Sequence, residues 1–293
     1  MGILSTVDMG VHRLEAGLML RQAILINSLL YSAEEWSGVT DKELRRLEVV
    51  DRALLVRLTG GHSKCASEFY HLECGTWQLR HHLMYRRLMY HHHLITREAS
   101  ETIQKNYYKQ KEETYKGDWY DLLKKDFEFL GEEMLEEKIK LFPKIEYKKH
   151  IKLLLNKAVF KYYISLKEGH SKLNEVSYPE FKTQSYLTTK FLQNQEKELL
   201  FNLRSKCHSS KNNFRKMHRS NLKCTLNCSE NEDQRHVFKH CKPVLDHIQN
   251  LPNVLYEDIF GSLQEQTQVT KAFMHVEKIP HTGDIESLDR CGS

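Results

Sequence analysis

Three cysteines and one histidine near the C-terminal end of the chain have the spacing of a metal site. They are Cys224, Cys228, His236 and Cys241, in the pattern C-x3-C-x7-H-x4-C. Zinc is bound tetrahedrally by thiolate sulfur and imidazole nitrogen, and two short ligand pairs joined by a loop can supply all four ligands. The sequence therefore predicts a zinc knuckle. With four protein ligands the coordination sphere is closed, so we expect a structural Zn²⁺ that activates no water.

Two alternatives to this ligand set stay open at the level of sequence. His240 is a rival ligand, but it adjoins Cys241 and would strain a four-coordinate site. The cysteines could also be structural thiols without a metal. The loop of seven residues between the pairs is longer than that of a retroviral-type knuckle.

The metal pattern lies inside the most basic stretch of the chain. Residues 204–242 contain ten Lys and Arg and three acidic residues, a formal charge of +7 in a chain whose total is +5. Cations neutralise phosphates, and an aromatic ring can stack on an unpaired base. The candidate nucleic-acid contacts here are Arg204, Lys206, Lys211, Phe214, Arg215, Lys216, Arg219 and Lys223. The alternative is a solvated basic surface with no ligand.

A second group of candidate nucleic-acid contacts lies in the histidine-rich segment 79–97. At 100° per residue, Arg80 and Arg87 fall in one polar seam with His91, while Arg86 falls in another, between His82 and His93. Helix packing with polar seams is the favoured interpretation. Phosphate contact through Arg80, Arg86 and Arg87 is the alternative, and a metal site lacks the carboxylate or cysteine that would complete it.

The sequence contains no pattern that predicts catalysis. There is no Gly-rich phosphate loop, no G-x-S-x-G elbow and no H-E-x-x-H motif. Two-metal phosphoryl transfer needs clustered carboxylates, and the chain has no Asp-Asp pair. We therefore expect neither an enzyme active site nor a small-molecule substrate.

The elements that must position these residues are predicted to be helices. Five prolines and thirteen glycines in 293 residues, with many Leu, Lys and Glu, favour an all-α fold. Apolar spacing predicts helices over 12–36, from the capping box at Thr40 to Gly60, over 79–97, twice within 98–142, from Pro143 to Gly169, and over about 195–206. The basic run, the knuckle and a polar tail follow.

Composition sets the expected environment. No apolar run is long enough to span a membrane, and the N-terminus lacks the pattern of a signal peptide. Seven cysteines without a secretory signal indicate a reducing compartment. We expect an intracellular protein, in the nucleus or the cytoplasm, with Cys65, Cys74, Cys207 and Cys291 as ordinary thiols.

Several long stretches resemble the region that follows the catalytic palm in reverse transcriptases of non-LTR (LINE-type) retrotransposons. They are LEAGLMLRQAILINSLLYSAEEW, LEVVDRALLVRLTGGHSKC, LECGTWQLRHHLMYRRLMYHHHLITR and SLKEGHSKL, followed in order by the CCHC cluster. The resemblance covers roughly residues 3–246. It implies a helical thumb-like region at 1–120, a helical connector at 121–206, the basic run and zinc knuckle at 207–246, and a polar tail at 247–293.

The resemblance also implies a nucleic-acid partner and the absence of polymerase activity. In that family the thumb holds the template–primer duplex and the knuckle region helps to engage element RNA or target DNA, so RNA or DNA is the expected partner. The family's aromatic-x-Asp-Asp palm signature and its endonuclease are absent from this sequence. We expect a truncated element copy or fragment without polymerase activity. A helical protein-interaction or structural module with a zinc-stapled C-terminus, or a non-functional remnant, is the alternative.

Overall fold

The computed structural model describes residues 13–96, 101–169, 176–207 and 255–276, together with Cys224, His236 and residues 240–242. The regular elements in these ranges are all helices, so the predicted all-α class is confirmed for the described part of the chain. The α-helices are α1 (Arg13–Leu20), α2 (Asn27–Leu29), α3 (Asp41–Thr59), α4 (Ser67–Cys74), α5 (Leu79–Thr96), α6 (Glu101–Glu112), α7 (Trp119–Leu130), α8 (Glu136–Lys140), α9 (Lys144–Glu168), α10 (Ser185–Thr188), α11 (Asn194–Arg204) and α12 (Leu263–Val276).

The first predicted helix is regular only at its ends. Between α1 and α2 the backbone forms a π-helix over Arg21–Ile26. π-Helical turns are rare in proteins, and those that occur are often found at functional sites. A 3₁₀ turn at Ala33–Glu35 follows and ends the segment.

The sequence signals for helix ends are confirmed where they are strongest. Thr40 accepts a hydrogen bond from the N–H of Glu43, and the Glu43 carboxylate accepts from the N–H of Thr40, which completes the predicted capping box of α3. Gly60 ends the helix in the left-handed conformation, at φ 66°. Pro143 is the N-cap of α9 and Gly169 its C-cap.

The largest hydrophobic cluster joins elements that are far apart in sequence. It contains Leu55 of α3, Phe69 and Tyr70 of α4, and Leu155 of α9. Further members come from the three later helices: Leu187 of α10, Leu200, Phe201 and Leu203 of α11, and Val269, Ala272 and Phe273 of α12. Buried residues from both sides of position 120 therefore pack in one cluster.

Helix α5 lies between this cluster and two smaller ones. Leu79 and Leu83 pack with Ile26 and Leu30, whereas Leu88 packs with the buried residues of α7 and the start of α9. Helix α5 is therefore packed on more than one side, which agrees with the favoured interpretation of this segment as a packing helix.

The prediction of a polar tail at 247–293 is wrong for the described residues 255–276. A 3₁₀ turn at Tyr256–Phe260 leads into α12, which buries Val269, Ala272 and Phe273. Their spacing of three and four residues is helical. Ile259, Phe260, Leu263 and Met274 also pack in or against the main cluster, so the sequence contained an apolar signal that the polar-tail interpretation overlooked. Among the described helices, none is long and apolar enough to cross a membrane.

Candidate metal centre and nucleic-acid interface

The structure brings three of the four predicted metal ligands together. The candidate ligand atoms of Cys224, His236 and Cys241 all lie within 4.8 Å of one another, and the three side chains are buried. Cys224 and Cys241 are seventeen positions apart in sequence, so this grouping is a tertiary feature. Cys228, the fourth predicted ligand, lies outside the described residues.

The geometry of the two sulfurs fits a shared metal ion. The Sγ atoms of Cys224 and Cys241 are 3.7 Å apart. Two sulfurs at about 2.3 Å from a tetrahedral Zn²⁺ are separated by about 3.8 Å, whereas a disulfide holds them at about 2.05 Å. The imidazole nitrogen of His236 adds a ligand of the kind that zinc prefers with thiolates.

Local backbone hydrogen bonds place the two candidate histidines differently. The carbonyl of His236 accepts from the N–H of His240 at 2.9 Å and from that of Cys241 at 2.8 Å. This tight turn folds Cys241 back beside His236 and leaves His240 exposed. Of the two candidate histidines, His236 is the one grouped with Cys224 and Cys241, and its role as a metal ligand stays a prediction.

Arg204 is corrected from a phosphate contact to a core residue. Its side chain is only 2% exposed and pairs with the fully buried carboxylate of Glu73, with N···O distances of 3.0–3.3 Å. It also donates to the carbonyl of Ile259 at 2.8 Å. Burial alone disfavours the charged form, but the adjacent carboxylate outweighs it and the pKa of Arg204 is raised. Tyr178 donates to Glu73 at 2.6 Å and completes this centre.

Arg87 is corrected in the same way. Its guanidinium is buried and donates to both carboxylate oxygens of Asp126, at 2.6 and 3.3 Å. A nucleic-acid phosphate could reach it only by opening the contact between α5 and α7. The interpretation as a packing seam is therefore favoured for this position.

Arg80 and Arg86 lie nearer to solvent but are also engaged. Arg86 donates to the carbonyl of Leu30 at 2.6 Å and to Asn27 Oδ1 at 2.7 Å, which ties α5 to α2. Arg80 is 3.6 Å from Glu48 and about one third exposed. Lys206 is half-buried at the end of α11. Lys211, Phe214, Arg215, Lys216, Arg219 and Lys223 lie outside the described residues.

The histidines of α5 are packing residues in the described structure. His81 is T-stacked on Tyr163, His92 stacks on Tyr147 at 4.5 Å, and His91 contacts the hydroxyl of Tyr107 at 3.1 Å. Burial lowers the pKa of His81 to about 3 and that of His91 to about 4, so both are neutral at physiological pH. This agrees with the predicted packing role.

A second basic surface lies on α9 and was not predicted from the sequence. Helix α9 contains seven lysines and two glutamates, a formal charge of +5. Six of the lysines are exposed: Lys144, Lys148, Lys149, Lys152, Lys157 and Lys161. The i, i+4 spacing of Lys148 and Lys152 was the available signal, because it places both on one side of the helix.

The sequence matches no protein-family model, and neither the curated proteins nor the solved structures include a significant match to it.

Proposed function

We propose that this chain is a nucleic-acid-binding module related to the post-palm region of a LINE-type reverse transcriptase, with a structural Zn²⁺ in its basic C-terminal part. The observation that carries the proposal is the buried grouping of Cys224, His236 and Cys241 inside a segment of formal charge +7. Such a site beside a cationic segment is suited to holding that segment in a fixed shape against a polyanion. The proposal includes no catalytic step.

In this proposal Cys224, Cys228, His236 and Cys241 hold the ion. When bound, Zn²⁺ supplies four strong bonds that cross-link the segment, and both cysteine sulfurs of the described grouping bind as thiolates. Cys207, which is buried in the main core, begins the stretch that leads from α11 to this site. The core thus anchors the basic run at one end and the metal site anchors it at the other.

The basic side chains between these anchors would neutralise phosphates. They are Lys206, Lys211, Arg215, Lys216, Arg219 and Lys223, with Phe214 among them as a stacking surface. Arg204, Arg87, Arg80 and Arg86 are left out of the interface because they are used within the fold.

Salt-dependent binding to single-stranded RNA and DNA tests this function. Each phosphate contact contributes about 0.7 to 0.9 to the slope of log K against log salt. Arg215→Ala/Lys216→Ala is therefore expected to reduce the slope by about 1.4 to 1.8. Arg45→Ala/Arg46→Ala is the matched control, since both side chains are exposed on α3 and the charge lost is the same.

Metal analysis completes the test. Purified protein is expected to contain one zinc per chain, and Cys224→Ser/Cys241→Ser to contain none. Equal slopes for the basic-run variant and the control would remove the basic run from the interface. No binding of the wild type at low salt would favour a helical protein-interaction module instead.

A further inference from the structure

A groove with a volume of about 500 Å³ lies between α5, α9 and the π-helical segment. This is within the range of roughly 300–1,000 Å³ that is typical of ligand pockets. Its lining includes Arg21 and Gln22 from the π-helix, Trp77 from the turn before α5, and Lys148 and Lys152 from α9. It is separate from the Cys224 grouping and uses no residue of the basic run.

One side of the groove is aromatic. The rings of Trp77 and Tyr85 are half-buried, with centroids 5.8 Å apart and an inclination of 51°. The two rings therefore meet at an angle and form two sides of the groove. Trp77 Nε1 donates to Asn156 Oδ1 at 2.8 Å, which fixes the indole against α9.

The opposite side is cationic. Lys148 and Lys152 are exposed and one helical turn apart, and Lys152 Nζ lies 5.9 Å from the centre of the Tyr85 ring. Arg21 adds little net charge because it is buried against Asp51 at 2.5 Å. The lining contains no carboxylate, so the two lysines give the groove a positive potential that attracts an anion.

The aromatic wall also contains a polar atom that lacks a partner. His82 lies 5.2 Å from Trp77 between ring centroids, and its Nε2 is buried with no hydrogen-bond partner among the described residues. Buried polar atoms without partners are uncommon and call for an explanation, such as an absent ligand or water.

We propose that this groove binds one unpaired nucleotide of a single-stranded RNA or DNA, with the base against Trp77 and Tyr85 and the adjacent phosphates at Lys148 and Lys152. Stacking and cationic contact are the two elements that single-strand sites combine. The inference deepens the proposed function and rests on it, because it names the form of nucleic acid that the helical part takes. A duplex is excluded from this site, since its bases are already stacked on each other.

The decisive experiment measures binding of labelled 12-nucleotide oligomers by fluorescence anisotropy, with the full chain. Lys148→Gln/Lys152→Gln is expected to weaken binding about tenfold. Lys157→Gln/Lys161→Gln, which removes the same charge from exposed positions of α9 outside the groove, is expected to change it less than twofold. Trp77→Ala is expected to weaken binding at least about fivefold through lost stacking. Circular dichroism and zinc content verify that each variant is folded.

Ligand variants test the base contact. An oligomer with abasic sites is expected to bind more weakly than one with bases, and the difference is expected to vanish in Trp77→Ala. Equal binding of abasic and normal strands, equal binding of single strand and duplex, or tighter binding of a free nucleoside monophosphate would each overturn the inference.

The failure of this inference can be distinguished from failure of the proposed function. If Lys148→Gln/Lys152→Gln binds like its control while Arg215→Ala/Lys216→Ala loses affinity, the groove does not bind nucleic acid. The proposed function would then still stand. If the wild type binds no nucleic acid at low salt, both are overturned.

Discussion

Two centres hold the C-terminal part of this chain, and they do so by different physics. At the first, Arg204 and Glu73 form a fully buried ion pair, with Ile259 and Tyr178 completing its hydrogen bonds. At the second, Cys224, His236 and Cys241 gather their ligand atoms within 4.8 Å. The first is surrounded by the largest hydrophobic cluster of the described structure. The second, in the function proposed above, is stabilised mainly by bound Zn²⁺.

This difference predicts which perturbation destabilises each centre. A buried ion pair is stable only while both partners are present, because one charge left alone in a core is very costly. A thiolate and imidazole site instead depends on a metal, on deprotonated sulfur and on a reducing environment. The two centres are therefore expected to respond to different perturbations.

The largest expected effect is removal of the metal. Zinc contributes about 10 kcal/mol or more to local folding in comparable sites, so a strong chelator is expected to expose Cys224 and Cys241 to alkylation. Cys74 should stay protected, because it is buried in the main core, where burial raises its thiol pKa to about 12. Mass spectrometry after timed alkylation measures both. Simultaneous labelling of Cys74 would mean that the two centres are not independent.

The second effect is loss of one partner of the buried pair. Arg204→Met leaves the Glu73 carboxylate buried without its cation and is expected to lower the free energy of unfolding by about 3–5 kcal/mol. Adding Glu73→Gln should restore part of that loss, since no buried charge remains. Urea unfolding followed by circular dichroism measures both variants. Zinc content should not change, and a parallel loss of zinc would contradict the separation of the centres.

The third effect is a pH dependence of the helical core. His81 binds a proton below about pH 6.5 in an unfolded chain but only below about pH 3 in the fold, because burial lowers its pKa. Its contribution to stability is complete above pH 6.5 and is lost as the pH falls toward 3. The expected slope is about 1.4 kcal/mol per pH unit for this group.

His81→Phe tests this assignment by removing the titrating group while keeping a ring beside Tyr163. The slope of unfolding free energy between pH 6 and 4.5 is expected to fall by about 1.4 kcal/mol per unit. Measuring it in a Cys224→Ser/Cys241→Ser background removes the contribution of metal release. An unchanged slope would assign the pH dependence to other groups.

The smallest effect is expected at the partly exposed pair of Arg80 and Glu48. Their separation of 3.6 Å and partial exposure place them among surface ion pairs, which contribute between zero and about 1 kcal/mol. Arg80→Ala therefore serves as the control for Arg204→Met in the same urea assay. If Arg80→Ala lowered the free energy of unfolding as much as Arg204→Met does, burial of the ion pair would not determine how much its loss destabilises the protein.

Local signals explain which parts of the fold could be predicted from sequence. The Thr40–Glu43 capping box, Gly60 and Pro143 each act within one helical turn, so their outcome needs no knowledge of distant residues. The same holds for the turn that places His236 beside Cys241. The limits of α3 and α9 were predicted correctly for this reason.

The roles of individual charged residues could not be predicted, because they depend on distant partners. Arg204 pairs with a residue 131 positions away, and Arg87 with one 39 positions away. The formal charge summed over a sequence segment includes these arginines as if they could bind phosphate. In the fold their charge is neutralised by a buried carboxylate. The groove beside Trp77 likewise depends on α5, α9 and the π-helix meeting in space.

The contact between Arg204 and the carbonyl of Ile259 has a consequence for synthesis. Glu73 and Arg204 emerge from the ribosome well before Ile259, and Phe273 follows later still. During translation the main core is thus left with an uncovered side until α12 is released. A nascent chain stalled before residue 255 is expected to be a better client for chaperones than the finished protein.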